Sequence, residues 1–225
     1  MDMKIAGSGV ITAGEYEGIS VSGSARMDGV VICEKLNVAG ALSGETVTCK
    51  KELRVSGKCQ FSKEVKADAV RVAGTLSCGN LKCGSLTVAG MTSSRGDIEA
   101  EIVKIDGALT CEGLLNAEEI TIQFENNMKI GGIGGSKIAV LQKYRTEKKQ
   151  RLPLFASLVK SMSGTVQIQN AVEGDDIALE GVICERVSGK IVAVGDGCEI
   201  ALVQYSDKIE ISPNAKVGSV EKIGF

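Results

Sequence analysis

An all-β, right-handed parallel β-helix with about 17 residues per coil is the fold this sequence predicts. Three observations predict it: an apolar-x-apolar-x-Gly motif in six copies, two-residue alternation between the glycines, and few aromatic side chains. The copies are Ile19-Ser-Val21-Ser-Gly23, Leu36-Asn-Val38-Ala-Gly40, Leu53-Arg-Val55-Ser-Gly57, Val70-Arg-Val72-Ala-Gly74, Leu86-Thr-Val88-Ala-Gly90 and Val103-Lys-Ile105-Asp-Gly107. Their glycines lie 17, 17, 17, 16 and 17 residues apart, the period of a stacked repeat.

Each repeat holds three short strands. In residues 70 to 83 the pairs Val70/Val72, Leu76/Cys78 and Leu81/Cys83 alternate, separated by Ala73-Gly74 and Gly79-Asn80. Period-2 alternation puts both members of a pair on one face, so three strands with glycine corners close a triangular coil. The preceding repeats fit with Leu36/Val38, Leu42/Gly44 and Val47/Cys49, then Leu53/Val55, Cys59/Phe61 and Val65/Ala67. A lone coil orders more backbone than its inward side chains offset, so coils must stack in parallel about 4.8 Å apart. The handedness expectation rests on the usual right-handed crossover between parallel strands and on a 17-residue coil rather than strict hexapeptides.

The register continues through Ile120-Thr-Ile122, loosens over Met128 to Ser136, and returns at Ile138-Ala-Val140. A less regular run follows from Val166: Val166/Ile168, Ile177/Leu179, Val192/Val194, Ile200/Leu202, Ile209/Ile211 and Ala215/Val217. The expected organisation is a β-helix block over 1–141 with roughly eight coils, an insertion over 142–163, and a second block over 164–225 with three or four more.

That insertion breaks every pattern. Its basic half carries Lys143, Arg145, Lys148, Lys149 and Arg151, and its apolar half carries Leu152, Leu154, Phe155, Leu158, Val159 and Met162. Pro153 suits a first helical turn, and the spacing at 155, 158, 159 and 162 is helical. Two readings fit: a short helix packed on the β-helix as a lid or brace, or an interfacial helix beside a polybasic segment that touches anionic lipid. In the second reading Lys143, Arg145, Lys148, Lys149, Arg151, Leu154, Phe155 and Leu158 make the membrane contact.

Composition narrows the chemistry. The 225 residues include no His, no Trp, 3 Tyr and 4 Phe, with 26 basic against 28 acidic side chains. Without His, Ser-His, Cys-His and His-metal mechanisms are excluded. A near-neutral chain exerts no global attraction on nucleic acid. Met1 to Gly18 lacks the apolar core of a signal peptide, so the 8 cysteines read as reduced, cytoplasmic thiols. No run approaches the roughly 18 apolar residues of a spanning helix.

Candidate motifs reduce to architecture. Gly7-Ser8-Gly9 and Gly132-Ile133-Gly134-Gly135 lack the Gly-Lys-Ser/Thr of a phosphate loop and read as corners. Cys78 and Cys83 are not in Cys-x-x-Cys spacing and read as core thiols; Cys49 and Cys111 are likewise placed inward, whereas Cys33, one residue after an inward Ile32, is placed outward. Glu118-Glu119 and Asp175-Asp176 could supply a glycosidase acid and base but read as solvated turn charges. No catalytic residue, cofactor site or metal site is expected.

Glycine-punctuated 17-residue β-coils of this kind resemble the bactofilins, a bacterial polymer-forming cytoskeletal family. The likeness is to its longer Gram-positive members, which have an inserted segment and a C-terminal block similar to Ile177-Ala-Leu179-Glu-Gly181-Val182-Ile183-Cys184, Gly195-Asp-Gly197-Cys198-Glu-Ile200 and Val203-Gln-Tyr205. The likeness is distributed over most of residues 3 to 140 and 166 to 220. It implies a right-handed triangular β-helix that polymerises end to end without nucleotide and carries no catalytic residues. The inserted segment departs from the compact members, whose β-helix is uninterrupted.

The expected partner is therefore the chain itself. Ile5, Val10 and Ile11 at one end, and Val217, Val220, Ile223 and Phe225 at the other, are the expected polymerisation surfaces, since neither end shows a polar cap. Two other classes compete. A monomeric β-helix adaptor would sediment as one species at all concentrations, and a polysaccharide-active β-helix protein would need a cleft with aromatic platforms, whereas 7 aromatics are scattered here. Left-handed β-helix acyltransferases rely on a His that is absent.

Overall fold

The computed structural model describes residues 2–143 and 164–224. Among them the only regular elements are 18 strands, every one paired in parallel. They wind into a β-solenoid of about 12 turns with about 17 residues per turn. The predicted parallel β-solenoid is thus observed.

Each turn has three faces, and one apolar column shows how they align. Ile5 pairs with Val21, then Val38, Val55, Val72, Val88, Ile105, Ile122, Val140, Leu179, Val194 and Ile211 in successive turns. Partners in this column are 15 to 18 residues apart except Val140 and Leu179, which are 39 apart. Beside it runs a second column from Met3 through Ile19, Leu36 and Leu53 to Ile209. Short branched side chains stack on themselves at the strand spacing, which explains a core almost free of aromatics. Phe124 and Phe61 are the buried exceptions.

The repeated glycines turn the first face into the second. Their φ angles are not positive, so conformational freedom is not what selects them. A Cβ on Gly40 would overlap the carbonyl oxygen of Gly23 one turn below, and Gly57 stands in the same relation to Gly40, and Gly74 to Gly57. At this corner the amides of Ala39 and Gly40 both donate to the Val21 carbonyl, at 2.8 and 3.1 Å. Drawing two donors onto one acceptor pulls the coils too close for a side chain.

The segment 144–163 departs from this same corner. Val140 ends the first face of its turn, and Val166–Ile168 resumes on the second, paired with Met128–Ile130 on one side. Ala171–Leu179 pairs with Met128–Gln142 and with Val182–Val194, so the ladder passes unbroken from residues before the segment to residues after it. The Lys143 amide donates to the Phe124 carbonyl at 2.9 Å and the Gly164 amide to the Glu125 carbonyl at 3.0 Å. The two ends of the segment therefore stand over consecutive residues. The predicted helix around 155–162 lies outside the described residues.

Two local readings need correction and a third holds. Cys33 is fully buried and Ile32 is the half-buried outward residue, because the third face of that turn starts at Val31, after a corner containing Gly29 at φ 93°. Ile200 pairs inward with Cys198, while Leu202 faces out and Val203 in, since the corner between 200 and 203 resets the alternation. Residues 128–136 lie in one strand, Met128–Gln142, but the alternation does loosen there as expected: residues 130 to 133 are all buried, and the pairing shifts register between Cys111 and Leu114.

Candidate assembly ends

Interior chemistry offers little. All eight cysteines are free and buried, with Cys49, Cys78, Cys83 and Cys111 inward as expected. Burial pushes Cys59, Cys83 and Cys184 up to about 12, and Cys78 and Cys111 up to about 11. Cys33 and Cys49 occupy one column with sulfurs 3.5 Å apart; the hydrogen bond between them holds the Cys33 thiol below its ordinary value and, with burial, raises Cys49. Among the described residues no group of three His, Cys, Asp or Glu is arranged to hold a metal. Glu118 and Asp176 are exposed, and Glu119 and Asp175 ion-pair with Lys137 and Lys190 at 3.5 and 3.1 Å. Gly7 and Gly9 flank the start of Ser8–Val21, and Gly132 to Gly135 lie within Met128–Gln142, so each is continued by strand.

What distinguishes parts of this molecule is the state of their strand edges. Interior strands are paired above and below. Asp2–Ile5 pairs only with Gly18 to Val21, and Lys216–Lys222 only with Glu199 to Tyr205, among the described residues. Lys208 to Ile211 pairs with Ile191 to Val194 and has no described neighbour on its other side. An open edge presents unpaired amides and carbonyls that template a further strand.

The side chains at these edges are apolar but incompletely covered. At the N-terminal edge Met3 and Ile5 are half-buried against the core, and Val10 is 57% exposed on the outer side of the second face. Ile11 also stands at this edge, since Ser8 to Thr12 pairs only with Ser24 to Asp28 among the described residues, but its side chain is fully buried. Tyr16 lies half-buried across the third face, its hydroxyl donating to the Thr12 carbonyl at 2.9 Å. At the C-terminal edge Val217 and Ile223 are half-buried and Val220 is 45% exposed; Phe225 lies outside the described residues. A shallow depression of about 550 Å³, lined by Cys184, Ile200, Ala215 and Val217, opens there.

Sequence reasoning missed Met3, Ile209 and Ile211 at these edges. Ile211 is 40% exposed although it ends the column that Ile5 begins. The signal was available: Met3 and Ile5 begin, and Ile209 and Ile211 end, their stacked columns.

Of the expected membrane-contact residues, only Lys143 is described, and its ammonium ion-pairs with Asp106. Arg145, Lys148, Lys149, Arg151, Leu154, Phe155 and Leu158 lie outside the described residues. Among the described residues no helix is long and apolar enough to cross a membrane.

The chain is 30% identical over 112 residues, 49% of its length, to a protein of Bacillus subtilis (strain 168) described as uncharacterized protein YhbF. It spans 42% of the length of that relative. No protein-family model matches the chain, and no solved structure matches it.

Proposed function

We propose that this protein is a bactofilin-like structural protein that self-assembles end to end, without nucleotide, into cytoplasmic filaments or scaffolds, and that it is not an enzyme. The observation that carries the reading is the pair of open, partly apolar strand edges at opposite ends of one solenoid. Asp2–Ile5 at one end and Lys208 to Ile211 at the other lie in the same columns, so each edge has the shape of the coil the other lacks. Docking them buries an apolar ring worth roughly 10 kcal/mol gross, against an association cost of about 4 to 15 kcal/mol. Assembly is then reversible and set by concentration.

Electron microscopy and sedimentation of the purified chain test this. The expected result is filaments one solenoid wide in the absence of nucleotide, with a critical concentration. A chain that stays monomeric over a wide concentration range overturns the proposal and leaves a monomeric adaptor.

A further inference from the structure

We propose that Cys33 and Cys49 form a peroxide-reactive dithiol, a modification site at which a hydroperoxide joins two consecutive coils through a reversible disulfide.

Geometry sets these two apart from the other cysteines. Cys33 and Cys49 are register partners on the third face of neighbouring turns, and their sulfurs lie 3.5 Å apart across a span of 16 residues. Adjacent parallel strands stand about 4.8 Å apart, a Cα separation that a disulfide spans. Further along the same column Ala67 separates Cys49 from Cys83. Cys78, Cys111 and Cys184 direct their thiols to the backbone carbonyls of Ser93, Gly96 and Arg186. Cys59 stands in a second-face column between Leu42 and Leu76.

The pair is also close to the outside, although both thiols are buried. Tyr16 is the partner of Cys33 on its N-terminal side, and Gly14 to Tyr16 pairs only with Val31 to Cys33 among the described residues. A single half-buried side chain therefore covers Cys33 at the open end. The Tyr16 ring lies 3.8 Å from the place a Cβ on Gly14 would take, and its hydroxyl rests on the carbonyl and hydroxyl of Thr12 at 2.9 and 3.3 Å. An unpaired end coil is where local opening costs least, and opening there uncovers the Cys33 sulfur first.

The chemistry is asymmetric in the same direction. The hydrogen bond from Cys49 holds the Cys33 thiol below its ordinary value, whereas burial raises Cys59, Cys78, Cys83, Cys111, Cys184 and Cys198. The thiolate is the reactive form, so Cys33 is the attacking group. Its sulfur takes one oxygen of the hydroperoxide and becomes a sulfenic acid, while the O–O bond breaks and the rest of the peroxide leaves as an alcohol, or as water from hydrogen peroxide. The Cys49 sulfur then displaces the sulfenic hydroxyl, which departs as water with the Cys49 proton. The two thiols lose two electrons and the peroxide gains them. Small thiols reverse the reaction by exchange.

Peptide mapping of the full chain tests this. The protein at low concentration is exposed to hydrogen peroxide, alkylated under denaturing conditions and digested with trypsin without reduction. Cleavage after Arg26, Lys35 and Lys50 places Cys33 and Cys49 on separate peptides, 27–35 and 36–50, with one cysteine each. The expected result is these two peptides joined as the main disulfide, separated again by dithiothreitol, with the other cysteines alkylated as free thiols. Tyr16→Ala should speed the linkage severalfold and leave Cys83 unreacted, with circular dichroism confirming the fold. Cys49→Ala should leave a sulfenic acid on Cys33 that dimedone captures. No linked peptide at peroxide concentrations that oxidise free cysteine in the same buffer overturns the proposal. So does linkage among other cysteines in equal yield, or linkage that forms only in urea. A Tyr16→Ala chain that reacts at the parent's rate overturns Tyr16 as the cover.

Discussion

Thr92 is fully buried, and its hydroxyl has no hydrogen-bond partner among the described residues. It stands in the second-face column between Leu76 and Leu109, where its neighbours offer only methyl groups. Burying an unpaired hydroxyl costs about 1 to 3 kcal/mol relative to an apolar group of the same shape. Thr92→Val keeps the branched outline, replaces the hydroxyl by a methyl and removes that cost. For a domain of this size each kcal/mol moves Tm by about 2 to 4 °C, so the variant should melt about 2 to 12 °C higher. Ser94, two residues along the same strand, provides the opposite control: its Oγ donates to the Gly79 carbonyl at 2.8 Å, and Ser94→Ala should lose about 1 kcal/mol. Calorimetry belongs at low chain concentration, since any association also stabilises the native state. A Thr92→Val variant that melts at or below the parent, with Ser94→Ala behaving as stated, refutes the reasoning.

Gly57→Ala should destabilise by about 3 kcal/mol or more, because its methyl overlaps the Gly40 carbonyl, whereas Gly7→Ala, with nothing within 4 Å, should be nearly neutral; urea melts compare them. Excision of residues 144–163 with a direct join of Lys143 to Gly164 should leave the solenoid folded, with strand content by circular dichroism retained and Tm little changed. The two flanking amides bond to consecutive carbonyls, so little or no chain is needed between them, and unfolding on excision would refute this. Stability should fall as pH rises: thiols near 8.5 in the unfolded chain stay protonated to about 12 at Cys59, Cys83 and Cys184 when folded. Between those values the unfolded state sheds protons that the native state keeps, each thiol lowering stability by up to about 1.4 kcal/mol per pH unit. Urea midpoints from pH 8 to 10.5 should decline, less steeply in Cys59→Val, and an unchanged slope in that variant would count against the burial argument.

The solenoid was legible because its period is written twice, once in the corner glycines and once in the alternating pairs. Parity after a corner was not legible. Val30-Val31-Ile32-Cys33 is apolar throughout, so alternation cannot say which residues point inward; the corner at Gly29 decides it, and it put Cys33 inside. Leu202 and Val203 pose the same problem. The candidate ends were only partly legible for a related reason. Ile11 does stand on an open edge, its segment Ser8 to Thr12 pairing only with Ser24 to Asp28 among the described residues, yet its side chain is fully covered, which spacing does not reveal. The edge became visible only when Ile5 and Ile211 were found to begin and end one column.

The corner from which residues 144–163 depart has a consequence for any polymer of this chain. Twelve turns at about 4.8 Å make a repeat of roughly 58 Å, and the departure point recurs once per repeat at the same height in each subunit. A filament built by continuing the ladder would repeat the corner between Lys143 and Gly164 as a regularly pitched row, its spacing set by the count of coils and its bearing by the accumulated twist of the sheet. One weak attachment per subunit would then act many times along a single axis, so rod length would govern how firmly the whole holds a surface.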